Sequence, residues 1–275
     1  MTIGCIGVGN MGGAICTAIC RSAVDKTLVR DTVLVCDTDE NKTAAFRKDY
    51  GCEPVDSVTL ASRADWIFLG IKPQYMATVT GEISHILANR VKAGERIVVV
   101  TMAAGLTIAR IREMLGCPVP VIRMMPNIPA AVGQGMIMYT GEGDVTEAEF
   151  ATFTTLLDKA GLLDRLPENL IDAGTAVSGC GPAYLCLLLE AMADGGVACG
   201  LPRQKAMTYA AQTLLGTAAT LLETGKHPGV FKDEVTSPGG STIAGVRKME
   251  EAGVRGAMID AVIAAYEKNI ELGKK

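Results

Sequence analysis

The sequence predicts a doubly wound α/β domain over residues 1–166, followed by an all-α half over residues 167–275. Three observations carry this reading. Up to Leu166, short apolar runs alternate with helical stretches, the pattern of parallel strands covered on both faces. A G-x-G-x-x-G turn stands where the first run meets the first helical stretch. After Leu166-Pro167 the strand-like runs stop, and apolar residues recur at three- and four-residue steps.

The strands are expected at Thr2–Ile6, Val33–Cys36, Trp66–Gly70, Ile97–Thr101 and Val119–Met124, each β-branched or apolar and bounded by Gly, Pro or charge. Further strands near Gly135–Tyr139 and Leu162–Leu166 extend the sheet. Helices fall between them, among them Met11–Val24, Asp39–Tyr50 and Thr107–Leu115. In the second half, Met207, Ala210, Ala211, Leu214, Leu215, Ala218 and Leu222 form a helical stripe. Val254, Ala257, Met258, Ala261, Val262 and Ala265 form another. The segment 183–192 is apolar almost all round, Glu190 excepted, so it must be covered on every side. About 110 residues are few for burying such a helix alone, which predicts packing against a second copy.

The first turn reads Gly7-Val8-Gly9-Asn10-Met11-Gly12. Gly7 permits a tight turn, Gly9 lets backbone approach a pyrophosphate, and Gly12 allows close helix–strand packing. The helix N-terminus adds oriented N–H donors. Directly after a strand and ahead of further βα units, the motif predicts a Rossmann-type dinucleotide-binding domain. Asp37 ends the second strand, where an acid meets the ribose 2′-hydroxyl and would repel a 2′-phosphate. It could equally begin a turn or cap the helix starting near Asp39.

Composition narrows the class. With 49% hydrophobic and 20% charged residues the chain is globular. A net charge of −4 and a pI near 5.4 offer no footprint for nucleic acid or an anionic membrane. Mean hydropathy is high at +0.28, yet Glu190 and Asp194 break the most apolar stretch, so no membrane span is expected. No basic leader precedes the first strand, which predicts a cytoplasmic protein. The nine cysteines include no C-x-x-C pair and no zinc-like Cys/His spacing. They are expected to be free thiols, with no metal. His85 and His227 are the two histidines; His227, in Lys226-His227-Pro228-Gly229, reads as structural, and Tyr184 as a core residue.

In the helical half, Ser237-Pro238-Gly239-Gly240-Ser241-Thr242-Ile243-Ala244 runs a glycine turn into a helix. Converging backbone N–H groups there would suit a carboxylate; the same residues also make an ordinary helix start. Lys72 follows the end of a parallel strand, either at the ligand crevice or in a solvated turn.

Taken together, several segments resemble the pyrroline-5-carboxylate reductase family. They are the Ser237–Thr242 turn with its helix, Gly70-Ile71-Lys72-Pro73-Gln74, Thr101-Met102-Ala103-Ala104-Gly105, Arg123-Met124-Met125-Pro126-Asn127-Ile128-Pro129, and Val177-Ser178-Gly179-Cys180-Gly181-Pro182-Ala183-Tyr184. They fall in the family's order and span nearly the whole chain. The resemblance implies reduction of 1-pyrroline-5-carboxylate to proline with NADPH or NADH, the last step of proline biosynthesis. It also implies a helical half that interlocks two chains as a homodimer, within larger rings such as decamers. Thr242 would then hydrogen-bond the substrate ring nitrogen, with Ser237, Gly239, Gly240 and Ser241 holding the carboxylate. Lys72, Pro73, Ala103 and Ala104 would line the nicotinamide side, Asn10 and Met11 the pyrophosphate, and Ile71 would also touch the cofactor. Two departures stand out: Cys180 replaces a serine common in relatives, and Ser57 stands where an Asn often meets the adenosine ribose or phosphate.

The chemistry asks little of the protein beyond position, because the cofactor supplies the hydride. A donor beside the imine nitrogen and an anion cradle suffice, so a chain with two histidines is adequate. A β-hydroxyacid dehydrogenase of similar layout would need a Lys base on the first interdomain helix, and 179–184 offers none. A non-catalytic dinucleotide sensor would not need the intact Ser237–Thr242 turn.

Overall fold

The computed structural model describes residues 1–24 and 33–273. Its chain order is β1 (Ile3–Ile6), α1 (Asn10–Val24), β2 (Leu34–Cys36), α2 (Glu40–Tyr50), β3 (Glu53–Pro54), α3 (Ser57–Arg63), β4 (Trp66–Leu69), α4 (Pro73–Lys92), β5 (Val98–Thr101), α5 (Ile108–Leu115), β6 (Val121–Met125), β7 (Gly135–Gly141), α6 (Glu147–Leu156) and β8 (Gly161–Arg165). The helical part follows as α7 (Ile171–Gly174), a π-turn at Thr175–Gly179, α8 (Gly181–Ala198), α9 (Arg203–Thr224), α10 (Pro228–Glu234), α11 (Ser241–Glu251) and α12 (Val254–Gly273).

The eight strands form one sheet in the order β3-β2-β1-β4-β5-β6-β7-β8. Strand order reverses between β1 and β4, so the ligand crevice of an open α/β sheet opens at their carboxyl ends. The seven expected strands are all present. The run of parallel pairings is broken once, where β7 pairs antiparallel to β6. Only a short 3₁₀ turn, Ile128–Val132, separates those two strands, too little chain for a crossover helix. The edge strand β3 has two residues, one of them Pro54, and leaves no periodic signal.

Near-continuous apolar strands arise because both faces are covered. On β4, Trp66 and Phe68 enter the core on one face, while Ile67 and Leu69 enter the core on the other. On β5, Val98 and Val100 oppose Val99 in the same way.

The chain forms two compact units, Met1–Gly179 with Tyr266–Lys275, and Cys180–Ala265. Within the second unit, α8 and α9 pack through Ala193, Ala206 and Ala210. The stripe expected on α9 therefore splits: Ala210 is buried, but Leu215 and Leu222 are exposed. On α8, Leu185, Leu187 and Met192 are exposed as well. So much uncovered apolar side chain does not persist in a lone soluble chain. The continuous helical run 168–198 is long and apolar enough to cross a membrane by length and composition, and its most apolar stretch is largely uncovered within one chain.

Candidate active site

The glycine turn is built by close backbone approach. Gly7 adopts φ 84°, a left-handed conformation that favours glycine. Its N–H donates to Cys36 O at 2.7 Å, and Gly70 N–H donates to Ile6 O at 2.7 Å. A Cβ on Gly12 would stand 2.0 Å from the Gly7 carbonyl oxygen, so α1 could not approach the loop. Gly9 differs: a Cβ there meets nothing within 4 Å. The loop is thus closed behind by Gly7, Gly12 and Gly70, and open in front at Gly9. Above it stands the N-terminus of the 15-residue α1, with Asn10 exposed and Met11 half-buried. A pyrophosphate fits this arrangement of free space, backbone donors and helix dipole.

Asp37 is held by backbone on two sides. Its Oδ2 accepts the Val8 N–H at 2.8 Å and its Oδ1 the Asp39 N–H at 3.0 Å. The helix cap expected as its alternative role belongs to Asp39, whose Oδ1 accepts the Asn41 N–H. Lys42 Nζ lies 3.5 Å from Asp37.

Beside the loop is a cavity of about 1070 Å³, whose walls include Gly7, Asp37, Ser57 and Ile71. Sequence reasoning had not singled out Asp56, Glu82 or Arg47, which share these walls. Ser57 Oγ donates to Glu82 Oε2 at 2.7 Å, fixing that acid in place. Asp37, Glu40, Asp56 and Glu82 oppose the single guanidinium of Arg47. The field registers on Cys36: burial first, then the carboxylates of Asp56, Asp37 and Glu82, push its thiol up to about 11. Backbone and hydroxyl donation from Thr59 holds the Asp56 carboxyl below its usual range.

Lys72 and Pro73 follow β4 at its carboxyl end, Pro73 opening α4 and Lys72 standing exposed as its N-cap. At the end of β5, Ala104 is exposed, while Ala103 is buried with its N–H donating to Thr101 Oγ1 at 3.3 Å. All of these belong to the first unit and to the carboxyl ends of parallel strands, where such folds bind ligands.

In the second unit, Gly239 has φ 68° and Gly240 caps α11, whose first residues are Ser241 and Thr242. The Gly240 N–H is taken by Ser237 O at 3.1 Å. A Cβ on Gly240 would stand 2.4 Å from Ser237 Oγ and 3.2 Å from Ser237 O, so a side chain there would force the Ser237 hydroxyl aside. No side chain caps this helix, which leaves its first-turn N–H groups for a ligand or water. His227 accepts the Gly229 N–H and caps α10, the structural role expected of it. Tyr184 donates to Ala261 O at 3.3 Å, which engages its hydroxyl inside the helical unit.

Residues 168–272 match the family model described as pyrroline-5-carboxylate reductase dimerisation, and residues 2–117 match the one described as NADP oxidoreductase coenzyme F420-dependent. The chain is similar to the pyrroline-5-carboxylate reductase of Synechocystis, with 40% identity over 99% of this chain and 98% of that protein. It is similar to that of Escherichia coli at 38%, over 99% and 98% respectively. Among solved structures it resembles the Plasmodium falciparum pyrroline carboxylate reductase crystallised with NADP bound. There the TM-score is 0.85 at 26% identity, over 99% of this chain and 98% of that one.

Proposed function

The chain belongs to the pyrroline-5-carboxylate reductase family, and from that premise we propose which of its residues carry out the NAD(P)H-dependent reduction of 1-pyrroline-5-carboxylate to L-proline. The cofactor, when bound, supplies the hydride; the protein's part is to hold, orient and polarise. Gly7, Gly9 and Gly12, with Asn10 and Met11 at the head of α1, receive the pyrophosphate. Asp37, Ser57 and Ile71 line the adenosine side, and Lys72, Pro73, Ala103 and Ala104 the nicotinamide side. The single observation that carries this placement is the loop that is closed behind by Gly7 and Gly12 and open at Gly9.

The substrate carboxylate is held by the turn of Ser237, Gly239, Gly240 and Ser241, through the uncapped N–H groups of α11. Thr242 donates its hydroxyl to the ring nitrogen. A hydrogen-bonded imine draws electron density from its carbon and accepts hydride more readily. Binding through backbone N–H groups keeps the ring in one orientation, which is most of what such a reaction needs. The functional boundary falls near residue 166, with 1–166 serving the cofactor and 167–275 serving substrate and dimerisation.

Four carboxylates around the adenosine cavity disfavour a 2′-phosphate, so NADH is the better-used cofactor of the two. The dimerisation region makes the protein an oligomer. We place it as a homodimer that assembles into decameric rings in the cytoplasm, without membrane or nucleic-acid contact. The apolar run 168–198 faces a second chain, not lipid.

The test follows absorbance of NADH and NADPH separately as purified protein meets pyrroline-5-carboxylate, with a 2-keto acid and a β-hydroxyacid as controls. Oxidation with the imine alone is expected. Turnover of the hydroxyacid in its place would overturn the assignment of the Ser237–Thr242 turn.

A further inference from the structure

The fold gathers three thiols that the sequence scatters. Cys16 and Cys20 stand one turn apart on α1, and Cys52 directly follows Gly51, the left-handed residue that ends α2. Their Sγ atoms all lie within 4.8 Å of one another. The sulfurs of Cys20 and Cys52 are 3.5 Å apart. Exposure is 0% for Cys16, 5% for Cys20 and 3% for Cys52, so none is a surface thiol. Cys5 on β1 contacts Cys16 from the sheet side. Ile15, Ile19, Val33 and Val35 belong to the apolar cluster that holds all four.

No step of the reduction uses these groups. Buried thiols commonly serve as small apolar fillers, but filling does not require three sulfurs to converge from two separate segments. Their spacing suits a shared ligand. With metal–sulfur bonds of about 2.3 Å, a trigonal centre sets its sulfurs about 4.0 Å apart. Rotation of the side chains supplies the remaining fraction of an ångström.

We propose that Cys16, Cys20 and Cys52 form a binding site for a soft, thiophilic d¹⁰ cation of the zinc, cadmium or copper(I) class. Sulfur ligands select such ions, whereas magnesium and calcium demand oxygen and keep their water. Binding is an exchange without redox change. Sulfur–metal bonds form, S–H bonds break, and the displaced protons go to solvent. A thiol that keeps its proton lowers the net negative charge left in the apolar surroundings. The bound ion would tie α1, whose N-terminus closes the glycine loop, to the α2–β3 junction, two residues before the cavity wall at Pro54–Ser57. Closing that long loop stabilises the dinucleotide domain.

The experiment uses full-length protein, reduced and freed of metal, titrated with cadmium as the probe. Expected are one equivalent bound per chain, an ultraviolet sulfur-to-cadmium charge-transfer band, the corresponding mass increase in native spectrometry and a higher thermal midpoint. Cys16→Ser and Cys52→Ala, tested separately, should each weaken uptake by more than about tenfold, the scale seen when even an outer-shell partner is lost. Cys117→Ala, a buried thiol outside the cluster, and Cys186→Ala, an exposed one, should bind as the parent does. Absence of the band, or a band that survives both cluster substitutions, would overturn the site. So would a titration of oxidant-free protein that falls two thiols short of nine, with Cys20 and Cys52 joined as a disulfide.

Discussion

Asp37, at the end of β2, accepts the backbone N–H of Val8 in the glycine loop at 2.8 Å. The two residues are 29 positions apart, and the bond makes one carboxylate both a wall of the cavity beside the loop and a clasp on the glycine turn. Removing the charge and removing the clasp are therefore separable experiments. Asp37→Asn keeps an acceptor for Val8 and discards the charge. It should raise the NADPH-to-NADH ratio of kcat/KM by about tenfold, equivalent to about 1.4 kcal/mol, with little loss of NADH turnover. Asp37→Ser cannot reach Val8 in the same way. It should raise the ratio too, but lower kcat/KM with both cofactors, since a hydrogen bond to a charged acceptor contributes about 1.5–3 kcal/mol. An unchanged ratio in both variants would show that Asp37 only shapes the loop.

Gly9 and Gly12 should fail for different reasons. A Cβ at Gly12 would meet the Gly7 carbonyl oxygen at 2.0 Å, a contact with backbone that no rotamer relieves. Gly12→Ala is expected to lose about 2–3 kcal/mol of stability by overpacking. At Gly9 nothing lies within 4 Å, and its φ is not among the positive ones. Gly9→Ala should unfold within about 0.5 kcal/mol of the parent, yet bind NADH more than about tenfold less well. Denaturant unfolding and fluorescence quenching on the same samples separate the two. Unaltered NADH binding by Gly9→Ala would mean that the open front of the loop is not where cofactor binds.

Thr242 is the second residue of α11, and no side chain caps that helix. Thr242→Ala is expected to reduce kcat by about 10²-fold, the scale of losing one well-placed donor, with the Kd for NADH near that of the parent. Thr242→Ser restores a hydroxyl and should recover most of the rate. A loss confined to cofactor binding would remove Thr242 from the substrate site.

Leu187 on α8 is 71% exposed within one chain. Covering a leucine contributes about 1.5–3 kcal/mol, and burying a charge in its place costs more. Leu187→Lys should shift sedimentation toward monomer at concentrations where the parent is fully associated. Unaltered sedimentation would place that side chain outside the interface.

How much of this was legible beforehand follows from where each signal is stored. The central strands could be read because side chains alternate between two cores, which makes a strand such as Trp66–Leu69 apolar throughout. The glycine loop could be read because its residues are adjacent in sequence. The acids opposite the loop could not: Glu82 lies mid-helix on α4, 45 residues beyond Asp37, and nothing local marks it. The hydrogen bond from Ser57 to Glu82 is likewise a product of α3 packing on α4. The thiol cluster escaped for the same reason, since Cys52 sits 32 residues from Cys20 and spacing rules see only neighbours. The stripe on α9 was correctly apolar, but periodicity does not say whether its cover comes from the same chain.

Arg123 offers a test of stability away from ligand chemistry. It is 2% exposed on β6, and its guanidinium meets Glu168 at 3.3 Å and Asp172 at 3.1 Å. Glu168 also accepts the Ile108 N–H at 2.8 Å, so the pair fixes the start of α5. The Nε of Arg123 is buried without a partner, a cost the two ion pairs must offset. Replacing the arginine with a similarly shaped apolar side chain removes that cost but leaves both carboxylates without their cation. Those carboxylates are 28% and 24% exposed, so water can recover part of the loss. Arg123→Met should therefore destabilise by about 3 kcal/mol, the lower end of what breaking a buried pair costs, measured as a fall in urea midpoint at unchanged slope. Adding Glu168→Gln and Asp172→Asn to the same chain should return about half of it. No recovery in the triple variant would mean that Arg123 acts through packing and not through its charge.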